Sequence, residues 1–539
     1  MKKKAFVIIL SIMLIAAFCL TSCGNSKSSD SSTDTGKNGT TLVVRDEGEW
    51  TGIDMYQSEG WYDMQGLVAD TVLAEDPDTQ EAVPRIASKS VWSDDGLTWT
   101  LTFPKGMYYS TGEELEPEDF VASVKYGQKV SPYADGYSNI KSMEVSGRDV
   151  IMHLKKYQAD TEFNFESCFT GIIDKDEIEK LSKDDMLWGC HPYGAYYVDE
   201  YQPGAYVMLK ANEKYKTNCP LVENKGACPI KTIKIVFSGE GFTLAKGVET
   251  GDYDVIAQVD SESYDDIAAA KNIKMIDSYP AFIDYAVMNI TDPLFKDKNV
   301  RKAIVYSISR DNMSNFLNVF TTPAYSLILP KVINYSKDAE TYYKDNYSYD
   351  KAKAEKLLKA AGWIKNSDGI LEKNGKTFTF TYTCQDDATT KKIAQSLQSD
   401  FKAVGIEMKI ETKDWSYVST DVHNGDFQMA RLGFGWGEPM LLLDNFYSEN
   451  TKCTIPDPST LNAMITKVRS TTDFDSRTEQ VLEIQKTMFD YCSIVPLANI
   501  GGYRCWRSEI KGIVATSVGG FFLNDVVTDK DGNFRNVSE

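Results

Sequence analysis

Residues 83–126 contain a strand, a turn and the start of a helix in close succession. Leu97 to Phe103 alternates apolar and polar side chains, which predicts a strand with one buried face. Asp95-Gly96 directly before this strand is a hairpin signal, because glycine readily adopts the positive φ that such turns need. Pro117 stands among acidic residues, which is typical of the first turn of a helix. The stretch therefore predicts a β-hairpin that leads into a surface helix.

The length of 539 residues and two strand–helix–strand patterns predict several α/β domains. A single hydrophobic core does not extend over so long a chain, so two or three domains are expected. One pattern covers residues 233–257, and the other covers residues 378–410, where Gly405 is expected to end the helix. Because a long stretch separates the two patterns, they predict two α/β lobes rather than one sheet.

Two further helices are predicted between these patterns, over residues 298–317 and 349–362. In the second, Asp350 is a favourable N-cap and Gly362 is expected to stop the helix. We interpret both as packing elements of a lobe.

The segment 415–446 is the best candidate for a ligand-binding region. Residues 426–429 predict a short strand, and the run from Gly433 to Gly437 is expected to follow it as a loop. Glycines would let a ligand approach the backbone closely, and the rings of Phe434 and Trp436 would flank it. A packed turn filled by its own aromatic side chains is the alternative interpretation.

The N-terminus predicts export and membrane anchoring. Three lysines precede an apolar run over residues 5–20, which is typical of a secretory signal and short for a spanning helix. Leu20-Thr21-Ser22-Cys23 looks like a bacterial lipobox, so we expect a signal peptide over residues 1–22 and lipidation of Cys23. An ordinary signal peptide with an incidental cysteine is the alternative. Residues 23–40 are rich in serine, threonine and glycine and predict a disordered tether.

Composition and missing motifs argue against several classes of function. A formal net charge of −20 disfavours a surface for nucleic acid or for an anionic membrane. With three histidines and no CxxC pair, no metal site is expected. No GxSxG elbow, P-loop, HExxH motif or GxGxxG after a strand occurs, so we expect no catalytic residues and no cofactor. Cys219 and Cys228 close a short loop and are the pair expected to form a disulfide in an exported protein.

The order of residues in 83–126 resembles the signature of the family 5 extracellular solute-binding proteins, which are the oligopeptide, dipeptide and nickel receptors of ABC importers. The resemblance extends through residues 189–215, where Ala195 departs from the family pattern, and through the two helices described above. The residues that carry it in the first stretch are Pro84, Ala87, Ser88, Trp92, Asp94 to Thr100, Lys105, Gly106, Gly112 and Asp119.

The resemblance implies a two-lobed, type II periplasmic-binding-protein-like α/β fold with an extra subdomain. The first lobe would be discontinuous, formed by residues 41–285 and 498–539, with the subdomain inserted at about residues 61–188. Residues 286–497 would form the second lobe. Two strands that pass between the lobes would act as a hinge.

The resemblance also implies ligand contacts in the second lobe. Trp415 corresponds to a tryptophan of the pocket wall. Arg431 corresponds to an arginine that pairs with a ligand carboxylate in some oligopeptide receptors, a task that suits the planar guanidinium. Phe434 replaces a tryptophan that is usual in the family, and Trp436 follows it in the glycine–aromatic run.

One departure from the family pattern concerns the ligand's amino group. The aspartate that many peptide receptors use to hold this group is missing, because Gly437 occupies or adjoins its place, and Glu438 is the nearest carboxylate. In the first lobe, Glu49 and Trp50 correspond to positions that contact an extended ligand. The expected substrate-binding set therefore combines residues of both lobes.

The sequence and the resemblance together predict a lipid-anchored receptor on the extracytoplasmic face of a bacterial membrane. A monomer would capture a peptide or other small solute by closing its lobes and deliver it to the permease and ATPase subunits of an ABC importer. The same fold binding a non-peptide solute, or acting as a signalling receptor, is the alternative. An exported hydrolase is a third interpretation, for which the sequence offers no catalytic motif.

Overall fold

The computed structural model describes residues 39–46, 48–57, 64–77, 81–132, 134–166, 170–237, 244–277, 282–330, 332–435, 438–440, 443, 453–516, 520–535 and 537. The predicted signal peptide, Cys23, most of the tether and Trp436 lie outside these residues. Within them, no helix has both the length and the apolar composition that crossing a bilayer requires.

Strands occur throughout the described residues, interspersed with helices. They are β1 (Thr41–Arg45), β2 (Leu73–Glu75), β3 (Ala82–Pro84), β4 (Lys89–Trp92), β5 (Thr98–Thr102), β6 (Ile140–Ser146), β7 (Asp149–Leu154), β8 (Tyr196–Gln202), β9 (Tyr206–Ala211), β10 (Thr232–Val236), β11 (Val255–Ile256), β12 (Ile273–Asp277), β13 (Phe282–Met288), β14 (Thr321–Pro323), β15 (Ile364–Lys365), β16 (Leu371–Lys373), β17 (Lys376–Thr377), β18 (Thr379–Gln385), β19 (Glu407–Lys413), β20 (Met429–Gly435), β21 (Ile494–Ile500), β22 (Tyr503–Arg507), β23 (Val514–Thr516) and β24 (Gly520–Phe522).

The longest helices lie in the second half of the chain. The α-helices are α1 (Pro117–Val130), α2 (Phe163–Glu166), α3 (Lys175–Lys180), α4 (Lys183–Gly189), α5 (Leu244–Thr250), α6 (Tyr264–Ala269), α7 (Lys298–Ser307), α8 (Arg310–Ser314), α9 (Lys337–Tyr347), α10 (Lys351–Ala360), α11 (Ala388–Val404), α12 (Trp415–Asn424), α13 (Pro458–Arg469) and α14 (Phe474–Tyr491).

Two large sheets organise the described residues. The first has seven strands in the order β12-β22-β11-β1-β10-β9-β8, in which β1 is parallel to both β10 and β11. The second has six strands in the order β14-β21-β13-β20-β18-β19, in which β18 is parallel to β19 and β20. A four-stranded antiparallel sheet, β4-β5-β7-β6, belongs to the subdomain of the first lobe. Each large sheet forms the centre of one lobe.

Each lobe has its own hydrophobic core. The core of the first lobe draws on residues from Leu42 to Ala257 and from Trp506 to Phe534, whereas that of the second lobe runs from Ile283 to Ala498. The chain passes from the first sheet to the second between β12 and β13 and returns between β21 and β22. The predicted two-lobed α/β fold, with a discontinuous first lobe, is confirmed. The domain boundaries given from the sequence stay predictions.

The hairpin and helix predicted within residues 83–126 are confirmed. β4 and β5 pair in an antiparallel manner, and Gly96 in their turn has a φ of 64°. α1 begins at Pro117, and Asp119 Oδ2 accepts a hydrogen bond of 2.8 Å from the backbone N–H of Glu116. This reciprocal cap satisfies donors that a helix start otherwise leaves unpaired.

Both predicted strand–helix–strand units are present. β10, α5 and β11 form the first, with β1 inserted between the two strands. β18, α11 and β19 form the second, and Gly405 ends its helix at a φ of 94°. Asp350 caps α10 as predicted, because its Oδ1 accepts from the backbone N–H of Lys353 at 2.9 Å.

The single helix predicted over residues 298–317 is wrong. The chain leaves the helical conformation at Ile308 and forms α7 and α8 on either side. Ser309 caps the second of them, since its Oγ accepts from the backbone N–H of Asn312 at 3.1 Å. Serine competes for backbone donors in this way, so it favours helix starts over helix interiors.

The loop predicted after residues 426–429 is also wrong in its position. β20 begins at Met429 and continues to Gly435, paired with β13 along its whole length. Gly433 fits this strand because the ring of Phe282 fills the space that a side chain would need, at 2.5 Å from a Cβ placed there. Gly433 and Phe434 are therefore strand residues.

The expected disulfide between Cys219 and Cys228 is not present. Both are buried free thiols, and they lie in different hydrophobic clusters. The loop between them is held by hydrogen bonds instead. Asp525 accepts from the backbone N–H groups of Glu223 and Asn224 at 2.9 and 2.7 Å.

Candidate functional site

One edge of the second sheet faces the first lobe. The parallel strands β18, β19 and β20 end at this edge, and β13 begins there opposite the end of β21. Both connections to the first lobe therefore leave from it. Ligands of open α/β sheets bind beyond the carboxyl ends of the parallel strands. This edge is the candidate binding surface of the second lobe.

The first sheet presents a matching edge. β1, β10 and β11 run parallel to one another and end there, and β22 begins there opposite the end of β12. The strand ends of the two lobes are thus turned towards each other. A solute between them would contact both sheets.

An aromatic cluster joins the lobes beside the two connections. The ring of Phe320, which precedes β14, lies 5.4 Å from each of the rings of Tyr264 and Tyr503. The backbone N–H of Gly501 donates to the carbonyl of Phe320 at 2.7 Å. These contacts join the two lobes next to the places where the chain crosses between them.

A polar contact joins the lobes at a second place. The backbone N–H of Ala159 in the first lobe donates to the carbonyl of Arg469 at the end of α13, at 2.9 Å. Arg469 Nη2 donates to Asp160 Oδ2 at 3.3 Å, and only 2% of the Asp160 side chain is exposed. We name these three residues the interlobe latch.

Arg431 lies on β20 near the candidate edge and already has an anionic partner. Its Nη2 forms a buried ion pair with Asp284 of β13. Nη1 donates to Gln385 Oε1 at 3.3 Å, and the guanidinium lies 5.7 Å from the centroid of the Phe282 ring. The positive charge is therefore compensated within the second lobe.

The carboxyl of Asp284 has a raised pKa. Complete burial raises its pKa to about 6, and the opposing attraction of Arg431 does not fully offset that effect. Burial disfavours the charged form of a carboxyl because a low-dielectric interior replaces water. The Asp284 carboxyl therefore changes between its ionised and its neutral form at mildly acidic pH.

The aromatic candidates of the second lobe differ in exposure. Trp415 is the first residue of α12, directly after β19, and 41% of it is exposed. Tyr417 on the same helix is 64% exposed. Phe434 is partly buried against the core of the second lobe. Rings exposed at a strand end are available for stacking on a ligand.

The candidates of the first lobe have different environments. Glu49 is exposed, and its Oε1 accepts from Tyr201 Oη at 2.6 Å and from the backbone N–H of Gly204 at 2.7 Å. These hydrogen bonds hold the pKa of Glu49 below its ordinary value. Trp50 is buried in the core of the first lobe, and its Nε1 donates to Asp46 at 3.4 Å.

Glu438 follows β20 and is 2% exposed. Its Oε1 lies 3.4 Å from Arg477 Nη2 on α14, and its Oε2 accepts from the backbone N–H of Met440 at 2.5 Å. This carboxylate therefore already has a cation beside it in the second lobe.

Sequence reasoning missed three residues that surround the candidates. Asp284 and Gln385 hold Arg431, and Arg477 holds Glu438. All three are far along the chain from the groups they contact, so no spacing pattern could have indicated the pairs. Only the apolar setting of Asp284 within β13 was a signal, because a lone aspartate in such a strand needs a partner.

The sequence profile of the bacterial extracellular solute-binding proteins, family 5 Middle, matches residues 81–454. Among individual relatives, the oligopeptide-binding protein AppA of Bacillus subtilis (strain 168) is 26% identical over 455 residues, covering 81% of this chain and 81% of its own.

Two solved structures share the fold. That of AppA from Bacillus subtilis in complex with a nonapeptide has a TM-score of 0.72 at 22% identity, covering 91% of this chain and 99% of its own. That of NikA from Brucella suis in complex with Fe(III)-EDTA has a TM-score of 0.78 at 18% identity, covering 90% of this chain and all of its own. With most of the chain matched by the family profile and both large sheets accounted for, the chain belongs to the bacterial extracellular solute-binding proteins of family 5.

Proposed function

We propose that this solute-binding protein captures a peptide between its lobes and delivers it to an ABC importer in the membrane. The observation that carries the proposal is that the strand ends of the two large sheets are turned towards each other. Trp415 is exposed beside the strand ends of the second lobe. A peptide in this gap would form main-chain hydrogen bonds with strand ends and place its side chains against the rings. The oligopeptide-binding relative supports this class of solute.

Each proposed contact residue has a role that its environment suggests. Trp415 and Phe434 would supply apolar walls, and Trp436 is proposed for the same role from the sequence alone. Glu49 offers a carboxylate that is already ordered by two hydrogen bonds. Trp50 supports the backbone at Glu49 from within the core. Asp284 compensates the charge of Arg431. The guanidinium N–H groups that Asp284 and Gln385 do not occupy would orient a ligand carboxylate.

The membrane attachment is proposed from the N-terminal sequence. Residues 1–22 would direct export, and acyl chains on Cys23 would hold the globular part at the extracytoplasmic face through the tether. The protein would then act as a monomer beside the permease and ATPase subunits. Mass spectrometry of the mature N-terminus tests the anchor, because a diacylated Cys23 is expected and an unmodified N-terminus would contradict it.

Native mass spectrometry of the protein purified from its own host tests the peptide proposal. We expect a co-purified ligand whose fragments are those of a peptide. A non-peptide solute in the same position would contradict the peptide class and leave the receptor role standing. Binding of no solute at all, from the host or from a synthetic peptide pool, would contradict both.

Replacing Trp415 with alanine should weaken peptide binding without affecting the fold. A large aromatic contact in a binding site is worth about tenfold or more in affinity. Because 41% of Trp415 is exposed in the free protein, the melting temperature should stay unchanged. Calorimetric titration checks the affinity, and Tyr349→Ala, which removes another exposed ring, is the control. Equal affinities for both variants would contradict the role of Trp415.

Replacing Arg469 with alanine should open the lobes more easily. The variant loses the ion pair to Asp160, which is worth about 1 kcal/mol in a partly exposed setting. Closure would then be less favourable, so peptide affinity should fall roughly fivefold through faster dissociation. Stopped-flow dissociation measurements check this. Lys467→Ala on the same helix is the matched control, and an unchanged dissociation rate in Arg469→Ala would show that the latch does not bias closure.

A further inference from the structure

A cavity of about 210 Å³ lies in the second lobe, with walls formed by residues 308–349. It is bordered by the start of α8, the segment that follows β14 and the end of α9. Among the described residues, neither the first lobe nor the strands β13, β18 and β20 contribute to its wall. The cavity is therefore separate from the candidate binding surface at the sheet edge.

The size of the cavity limits what it can hold. Pockets for drug-sized ligands measure about 300–1,000 Å³, whereas a cavity of about 150 Å³ is enough for benzene. This cavity lies between the two. Its size suits one aromatic ring with a short polar chain.

Three tyrosines supply rings to the wall of the cavity. The ring of Tyr343 lies 6.3 Å from that of Tyr325 and 5.6 Å from that of Tyr347. The guanidinium of Arg310 lies 5.7 Å from the centroid of Tyr325 and 5.4 Å from that of Tyr343. Such contacts engage the face of the guanidinium, whereas its N–H donors lie in its plane. A ring and a hydrogen-bond acceptor could therefore share this space.

Arg310 brings a buried positive charge to the same cavity, since it lines the wall and is only 6% exposed. Its Nε donates to the carbonyl of Ala324 at 3.4 Å, and its Nη2 donates to Tyr343 Oη at 3.1 Å and to the carbonyl of Pro496. In the part of the chain that the structure describes, Nη1 has no acceptor and the guanidinium has no carboxylate partner. Both the charge and one donor group are thus left for a ligand.

Arg301 of α7 shows how the same lobe satisfies a buried arginine completely. Its Nε and Nη2 donate to the carbonyl of Tyr491, and its Nη1 donates to the carbonyls of Phe295 and Lys296. All three guanidinium nitrogens are therefore used. Buried polar groups without partners are costly and rare, so the unused Nη1 of Arg310 calls for an acceptor.

The carboxylates near Arg310 favour a ligand with one negative charge. Asp400 interacts electrostatically with Arg310, but its oxygens already accept from the backbone N–H of Ser309 and from Asn312 Nδ2, each at 2.8 Å. Asp311 also lines the cavity and is exposed. Its charge would repel a ligand that carries two negative charges, and a monocarboxylate avoids most of this repulsion.

We propose that this cavity is a second binding site, for a small aromatic monocarboxylate. The carboxylate would accept from Arg310 Nη1, because hydrogen bonds between ionised partners are the strong ones in a buried setting. The aromatic ring would lie against the rings of Tyr325, Tyr343 and Tyr347. The site does not depend on the solute that is captured between the lobes.

Fluorine NMR titration of the protein with matched small molecules tests this site. The probes are para-fluorophenylacetate, the neutral para-fluorophenylethanol, and trifluoroacetate, which has the charge but no ring. We expect the aromatic acid to bind about 10- to 100-fold more tightly than the alcohol, as for a hydrogen bond to a charged group. Trifluoroacetate should also bind more weakly than the aromatic acid. Equal binding of acid and alcohol, or no binding of the acid, would overturn the proposal.

Two variants locate the bound acid. Arg310→Gln should abolish the preference for the acid, but it should also cost stability because Arg310 holds the segments at Ala324 and Pro496. Ser348→Trp is the second variant, since Ser348 is an exposed residue of the cavity wall and the larger side chain should fill the cavity. It should weaken binding of the acid at least about tenfold while the melting temperature stays unchanged. Thr341→Trp, at an exposed position of the same helix, is the matched control and should keep binding.

Trp415→Ala separates this cavity from the gap between the lobes. Trp415 does not line the cavity, so this variant should bind the aromatic acid as the parent does. Loss of the acid in Trp415→Ala, with binding retained in Ser348→Trp, would place the probe in the gap and overturn the second site. Binding that survives in both Arg310→Gln and Ser348→Trp would overturn it as well. None of these outcomes bears on peptide capture, which the peptide titrations test separately.

Discussion

Replacement of Arg431 by methionine should lower the free energy of unfolding by about 3–5 kcal/mol. The variant leaves the carboxylate of Asp284 buried in the second lobe without its partner, and that side chain is fully inaccessible. Urea unfolding, followed by circular dichroism, measures the loss. The expectation follows from the observation that Arg431 forms an internal ion pair near the strand ends.

The double variant Asp284→Leu/Arg431→Met is the control for this result. Replacing both partners removes the unpaired charge, so most of the lost stability should return. If the single variant unfolds like the parent and only binds solute more weakly, Arg431 serves the ligand and its pairing with Asp284 is of little structural importance.

The pair also predicts how stability depends on pH. An unfolded aspartate ionises near pH 4, whereas burial raises the pKa of Asp284 to about 6. Below about pH 4 the carboxyl is protonated in both states, and its contribution to stability is fully present. That contribution is lost as the pH rises through about 6, because the folded protein must then ionise a buried group. Asp284→Asn should lack this decrease between about pH 4 and 6, and parallel profiles for the two proteins would contradict the shift.

Replacement of Asp70 by alanine should destabilise the first lobe by about 3–5 kcal/mol. Asp70 is fully buried and accepts from Arg85 Nη2 at 2.6 Å and from Tyr215 Oη at 2.6 Å. These bonds tie together three segments that are distant in the sequence, and Arg85 also stacks on Phe522 at 5.0 Å. Without the carboxylate, the charge of Arg85 remains buried and unpaired. Thermal and urea unfolding measure the effect.

Two controls separate burial from charge in this network. Asp199→Ala breaks an exposed ion pair with Lys210 and should cost about 0–1 kcal/mol. Tyr215→Phe removes one hydrogen bond but no charge and should cost about 1 kcal/mol. Similar losses for Asp70→Ala and Asp199→Ala would show that the buried network does not hold the lobe together.

Local signals in the sequence predicted local structure well. The turn at Gly96, the start of α1 at Pro117, the cap at Asp350 and the left-handed Gly405 each depend on a few neighbouring residues. The two strand–helix–strand units followed from alternation and spacing alone. From these signals one could infer two α/β lobes, and the resemblance to a family supplied their arrangement.

Features that depend on distant contacts were not predictable in this way. The run around Gly433 forms a strand because β13 pairs with it and Phe282 covers the glycine, although its composition is typical of a loop. Arg431 received a ligand-binding interpretation by resemblance, whereas its pairing with Asp284 depends on the register of two strands far apart in the chain.

Closure of the two lobes over a solute held between their sheet edges should make the protein more compact. Small-angle X-ray scattering of the protein, before and after saturation with a peptide whose binding has been established by calorimetry, tests this most directly. We expect the radius of gyration to fall on binding, while circular dichroism stays the same because both cores remain intact. An unchanged radius of gyration with the peptide bound would contradict closure.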